Sequence, residues 1–324
     1  MFKTAFKSVL LMLTVMASSC SSEPGEKVLK EPHSKEELGE LLFHDSILSR
    51  GNSISCASCH KPEFAFADTV ALSVGIDGIV GTRNTPSAMN MSARTFYFHD
   101  GRSETLEEQA GGPMENPNEM DIPLSMVVKK LNKHSQYRSF FVKIFGNKAT
   151  KENLVEALAA YERTLETNNT AFDDFMNGKD TLSFSVSAQR GREIFNEKGK
   201  CFDCHFGPDF TGDDFKNIGL FNGRNLNDSG RFLVTRAPED IGRFKVPGLR
   251  NIAITRPYMH NGMFRTLKEV IDYYDNPDRF VPDAVNRDTS LAKPLHLTPQ
   301  EKKDLEAFLL SLTDYRFLKK AERR

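Results

Sequence analysis

Two short stretches hold most of the reactive side chains, Cys56-Ala57-Ser58-Cys59-His60 and Cys201-Phe202-Asp203-Cys204-His205. Each sets two thiols about one helical turn apart and fuses an imidazole to the second. Thiols at this spacing can add across the two vinyl groups of a porphyrin, and the adjacent histidine is then held under the iron as its axial ligand. A zinc ribbon wants its two pairs roughly 15–20 residues apart, whereas Cys59 and Cys201 are separated by 142 positions (201 − 59). Dithiol redox chemistry would explain neither histidine, and no βαβ pattern surrounds the pairs. A structural disulfide across two residues closes a strained loop. The motifs therefore predict two covalently bound c-type haems, one on Cys56, Cys59 and His60, the other on Cys201, Cys204 and His205.

The segments around the motifs occur twice. Ser34-Lys35-Glu36-Glu37 reads as a capping box before Leu38, Leu41 and Leu42 at helical spacing. Gly39-Glu40-Leu41-Leu42-Phe43 precedes the first motif, and Gly191-Arg192-Glu193-Ile194-Phe195, after Ser187, precedes the second. Tyr97-Phe98-His99-Asp100-Gly101 with Thr105-Leu106-Glu107-Glu108 returns in register as Tyr258-Met259-His260-Asn261-Gly262 with Thr266-Leu267-Lys268-Glu269. Helical stripes recur and strand signals are weak. The expected fold is mainly α, two cytochrome c-like haem domains related by internal duplication, with long loops. Their expected bounds are 31–175 and 176–324, with a joint near Asn168–Asp180.

The repeats differ at one helix. After Thr266, the residues Leu267, Val270, Ile271 and Tyr274 lie on one stripe, so Tyr274 is expected to face inward. In the first copy Gly111-Gly112-Pro113 is expected to break the helix and give way to a loop carrying Glu119. One half can thus close its iron while the other keeps a pocket.

A formal net charge of −1 over 324 residues gives no charge excess that would suggest nucleic acid binding. Residues 1–20 read as a secretory signal of lipoprotein type: Lys3 and Lys7, an apolar run from Val9 to Met16, then Ala17-Ser18-Ser19-Cys20. Residues 21–30 read as a tether. The expectation is an exported, periplasmic protein, anchored through a lipid on Cys20 or, with ordinary cleavage nearby, released as a free soluble protein.

With both motifs, Arg83-Asn84-Thr85-Pro86, His99-Asp100-Gly101-Arg102, Leu106-Glu107-Glu108-Gln109-Ala110 and Val246-Pro247-Gly248-Leu249-Arg250-Asn251, the sequence resembles the bacterial diheme cytochrome c peroxidases, a family that includes the methylamine-utilisation diheme enzyme. The resemblance implies a peroxidatic first haem and a second haem that receives electrons from a small donor protein, a cytochrome c or a cupredoxin. It carries an acid–base role onto Glu119 and an orienting role onto Gln109, with hydrogen peroxide as substrate. It also implies a calcium ion between the halves, held by the Asn84 side chain and the carbonyls of Thr255 and Pro257. A homodimer is compatible with it.

The sequence departs from the family's pattern at three places. Many members carry a histidine sixteen residues after the first haem histidine; Ile76 stands there. Where the usual peroxidases have a methionine on the second haem, this chain has Tyr274, as the methylamine-utilisation enzyme does; Met259 and Met263 are rival ligands. The family's tryptophan between the haems is replaced by His99 in a chain without tryptophan. Alternatives to a peroxidase are a methylamine-utilisation-like oxidase acting on a partner protein and a non-catalytic diheme carrier. With Ile76 in place of a blocking histidine, the ferric protein is expected to turn over peroxide without prior reduction and to show high-spin iron; an all-low-spin resting spectrum would contradict this.

Overall fold

Side-chain caps set most helix starts. Ser34, Thr105, Thr150, Thr170, Ser185, Thr266 and Thr298 each accept from the backbone N–H three residues on, satisfying donors that a helix N-terminus leaves open. The computed structural model describes residues 28–179 and 182–318. Eleven α-helices lie among them: α1 (Lys35–His44), α2 (Cys56–Cys59), α3 (Leu106–Glu115), α4 (Leu124–Lys133), α5 (Ser135–Phe145), α6 (Lys151–Arg163), α7 (Ala171–Met176), α8 (Val186–Asn196), α9 (Phe232–Thr235), α10 (Leu267–Asp275) and α11 (Pro299–Leu310). The described strands are two residues each, β1 (Phe215–Lys216) and β2 (Phe244–Lys245), paired antiparallel. Long loops fill the rest, as the mainly α expectation has it. The proposed leader 1–20 with Cys20, and residues 21–27 of the tether, lie outside the described residues. No helix among the described residues is long and apolar enough to cross a membrane.

Two helix pairs frame the molecule, α1 on α6 and α8 on α11, and the repeated glycines explain their closeness. A Cβ on Gly39 would lie 1.9 Å from the Ala157 carbonyl oxygen, and one on Gly191 would lie 1.9 Å from that of Asp304. Only hydrogen fits between these backbones. Leu38, Leu42, Phe43, Leu154 and Leu158 are buried in the first half. Phe184, Phe195, Phe210 and Phe308 are buried together in the second, with Phe195 and Phe308 edge to face at 5.1 Å.

Duplication extends to hydrogen bonds. The Tyr97 N–H donates to Ser103 O and its hydroxyl to Met91 O; the Tyr258 N–H donates to Phe264 O and its hydroxyl to Ile252 O. Phe98 and Met259 both take left-handed backbone, at φ 63° and 73°.

Several sequence expectations are corrected. The Gly111-Gly112-Pro113 stretch does not break its helix: α3 continues to Glu115 with Pro113 inside it. A proline at that place removes only the bond to Gln109 O, near the helix end. The capping box at Ser34 is half formed, because the Glu37 carboxylate accepts from His33 N at 2.7 Å instead. Ser185 caps α8, and the Ser187 hydroxyl donates to Asp304. The stretch around the expected joint contains α7, whose Phe172 and Phe175 pack with the second core. Arg250 grips Asp173 of α7 through both terminal nitrogens, at 2.9 and 3.0 Å.

Replacing Gly191 by alanine should destabilise the protein by about 1–3 kcal/mol, the usual cost of overpacking. A lowered thermal unfolding midpoint checks it; an unchanged midpoint would show that α8 and α11 can move apart.

Candidate functional site

Both motifs open onto one cavity of about 1040 Å³. In the first, α2 places Cys56 and Cys59 one turn apart, and the His60 N–H donates to Cys56 O at 2.8 Å. In the second, a 3₁₀ turn over Cys201–Asp203 does the same, with His205 N–H to Cys201 O at 2.8 Å. Neither pair forms a disulfide. Burial pushes the Cys56 and Cys201 thiols up to about 12 and Cys204 up to about 11.

Both histidines are oriented from behind. His60 Nδ1 lies 3.0 Å from Phe66 O, and His205 Nδ1 lies 2.9 Å from Phe210 O. A carbonyl only accepts, so each Nδ1 carries the proton and each Nε2 keeps its lone pair. Burial lowers both pKa values, holding the rings neutral. A neutral imidazole with a free Nε2, backed by a hydrogen bond, is the form that ligates iron. Among the described residues no group of three or more His, Cys, Asp or Glu side chains could hold a metal ion by itself. Two thiols and one imidazole on each side of a large cavity fit a tethered porphyrin.

Glu119, Gln109 and Pro113 line the cavity in the first half. The Glu119 carboxylate acts electrostatically on both Cys56 and Cys59, which brings it to the first motif. Its loop is pinned by Glu119 N–H to Asn116 O at 3.0 Å and Met120 N–H to Pro113 O at 3.1 Å. Asn116 Nδ2 donates to Glu119 Oε1 at 2.6 Å. Burial raises the Glu119 pKa, against the Asn116 bond and the Arg102 charge. Ile76 is 4% exposed and outside the cavity lining; its N–H donates to Glu119 O at 2.8 Å. The segment that could have carried a blocking histidine instead buttresses the acid.

The repeat offset is 161 (258 − 97), so Pro113 occupies the place of Tyr274 in the other half. Tyr274 lines the cavity, and its phenol feels the Cys204 and Cys201 thiols. Burial drives its pKa far above the ordinary value, so a phenolate there needs a cation beside it. Met259 also lines the cavity, whereas Met263 is 39% exposed and does not.

The cavity's middle carries His99 and His260. His99 Nε2 is 2.9 Å from Asn84 O, and His260 stacks on Phe244 at 3.8 Å. Burial lowers the pKa of His99 to about 4 and that of His260 to about 3, so both rings are neutral. Asn84 Nδ2 donates to Val70 O and Ala71 O at 3.1 Å each, leaving Oδ1 as an acceptor. Thr255 and Pro257 line the same cavity, and neutral oxygens of this kind suit calcium. Sequence reasoning missed Pro113 as the counterpart of Tyr274, although the repeat offset contained it. It also missed Glu162, a buried acid on the cavity wall; its spacing of four from Leu158 was the available signal.

The sequence pattern of the di-haem cytochrome c peroxidases matches residues 33–181, and that of cytochrome c matches 188–313. The methylamine utilization protein MauG of Methylophilus methylotrophus is 35% identical across 93% of this chain and 92% of its own length. The chain belongs to the di-haem cytochrome c peroxidase family. Family membership brings two haems, in agreement with the two motifs. Cytochrome c551 peroxidase of Nitrosomonas europaea is 35% identical over 80% of the chain and 78% of that relative. A crystal structure of a MauG-like protein associated with microbial copper homeostasis superposes with a TM-score of 0.78 at 31% identity, covering 89% of this chain and 93% of the other. In this family member, Tyr274→Phe is expected to change the low-spin absorption and electron paramagnetic resonance signals of the second haem. Unchanged signals would remove Tyr274 as a ligand.

Proposed function

We propose that this protein reduces hydrogen peroxide to water in the first half of the cavity. Electrons arrive one at a time through the second half from a small donor protein, a cytochrome c or a cupredoxin. One observation carries the reading: Glu119 lines the cavity within electrostatic range of the first thiol pair, while Pro113, which has no side chain able to bind iron, stands where the other half has Tyr274.

The haem, when bound, supplies the iron that takes up peroxide and passes electrons to it. Ionised Glu119 accepts the proton of the inner peroxide oxygen and then returns it to the outer oxygen, which leaves as water. This relay is neutral in protons, so the two further protons of peroxide reduction come from solvent. Asn116 holds Oε1 and leaves Oε2 for the substrate. The raised pKa of Glu119 brings it nearer the operating pH, where acid and base forms both serve. The Gln109 amide orients the peroxide.

Within this reading Tyr274 would hold the second haem iron opposite His205, with Met259 its rival, and a calcium ion would be held by Asn84 Oδ1 and the Thr255 and Pro257 carbonyls. The protein is exported and tethered through Cys20. A second reading, oxidation of a partner protein, is favoured by Tyr274, because an anionic ligand lowers the potential of the second site and slows its reduction by a cytochrome. Mixing the holoprotein with peroxide, with and without reduced cytochrome c, separates the two: donor oxidation supports the peroxidase, and a persistent oxidised protein that ignores the cytochrome supports a protein substrate.

Glu119→Gln should lower kcat/KM for peroxide by about 10²–10⁴-fold, the usual worth of a positioned acid–base group, with both haem absorptions retained. A variant as fast as the parent would overturn the role.

A further inference from the structure

The peroxide chemistry leaves one carboxyl on the cavity wall unused. Glu162, on α6, is 7% exposed and faces the cavity. Its carboxyl has no hydrogen bond or ion pair among the described residues. It acts on Cys56, one of the thiols that tether the first haem. The other charged or titratable groups around it are Tyr97, Tyr161 with Glu40 of α1 behind it, and the pair Arg163–Glu107, joined at 2.7 and 2.9 Å. Lys130 of α4 is committed to Ser49 O.

The duplicated helix pair supplies a control. Gly39 packs on Ala157 as Gly191 packs on Asp304, an offset of 147 (304 − 157), so Leu309 is the counterpart of Glu162 (162 + 147). Leu309 is buried and lines the cavity too. Packing at this place is met by leucine, so an acid here has a use other than packing. Burial pushes the Glu162 carboxyl up to about 8.

We propose that Glu162 is the proton partner of the first haem site. As one electron enters that site from a one-electron reductant, the Glu162 carboxylate takes one proton from solvent through the cavity; when the electron leaves, it returns that proton. The positive charge of the oxidised site favours the carboxylate, and its loss on reduction favours the acid. The inference rests on the haem reading of Cys56, Cys59 and His60 and is independent of the peroxide reading.

The test is a spectroelectrochemical titration of the holoprotein at a series of pH values on either side of neutrality. One midpoint potential should fall as pH rises, by at most a tenfold change in the reduction constant per pH unit, which is about 59 mV for a one-electron couple. The other should stay level. The slope should vanish in Glu162→Gln and Glu162→Leu and survive in Glu119→Gln. Redox-difference infrared spectra should show a protonated-carboxyl band in the parent that is lost in Glu162→Gln, which keeps the test open if the leucine variant does not fold. Two level potentials in the parent, or a slope that persists in Glu162→Gln, would overturn the proposal. A parent protein without haem absorption would instead overturn the haem reading.

Discussion

Each half is organised around one hydrogen bond, from a histidine Nδ1 to a backbone carbonyl a few residues downstream. The bond chooses the tautomer and so decides which nitrogen can meet iron. It is expensive to present. Phe66 and Phe210, whose carbonyls accept, sit at φ 55° and 56°, where a bulky side chain costs about 1–3 kcal/mol. The same strain in both copies, at the same partner, marks it as part of the site. The turn that presents two thiols beside the imidazole and the glycine contact that draws the helix pair together recur in both halves.

At the matched helices of this shared frame the halves differ in the side chains they carry. The helices α3 and α10 start from the same threonine cap and have nearly the same length, 10 and 9 residues. One carries Gln109 and Pro113 toward the cavity where the other carries Val270 and Tyr274. The wall helices α6 and α11 differ in the same manner, with Glu162 against Leu309. At these two matched helices the first half turns Gln109 and Glu162 toward the cavity, where the second half turns Val270 and Leu309. Related helices thus give the two motifs different surroundings.

The region between the halves is held by charges and yet kept nearly neutral at its centre. Arg83 donates to Asp228 at 2.7 and 2.8 Å and to Asp100 at 2.6 Å, and Arg94 pairs with Asp209 at 2.5 Å. Losing one partner of such half-buried pairs leaves the other uncompensated, so these contacts resist sliding of one half on the other. His99 and His260, inside this frame, stay neutral because burial disfavours protonation, helped at His99 by the Arg83 and Lys245 charges and at His260 by His99 and Arg83.

Much was legible in the chain itself. The Cys-x-x-Cys-His turns, the duplication and the helical class follow from residue types and spacing, because such a turn and a capped amphipathic helix are local objects. Tertiary structure alone decided what those objects face. Local rules end a helix at Gly-Gly-Pro, yet α3 runs on, since a single lost bond near its end is outweighed by packing of Leu106, Ala110 and Met114. Ile76 looked like the mere absence of a ligand and became the brace of the Glu119 loop. Glu162, in Tyr161-Glu162-Arg163, reads as a solvated helix residue until α1, α2 and α3 close around it. Burial, partner and proton affinity belong to the surroundings of a side chain, and those surroundings are assembled from segments far apart along the sequence.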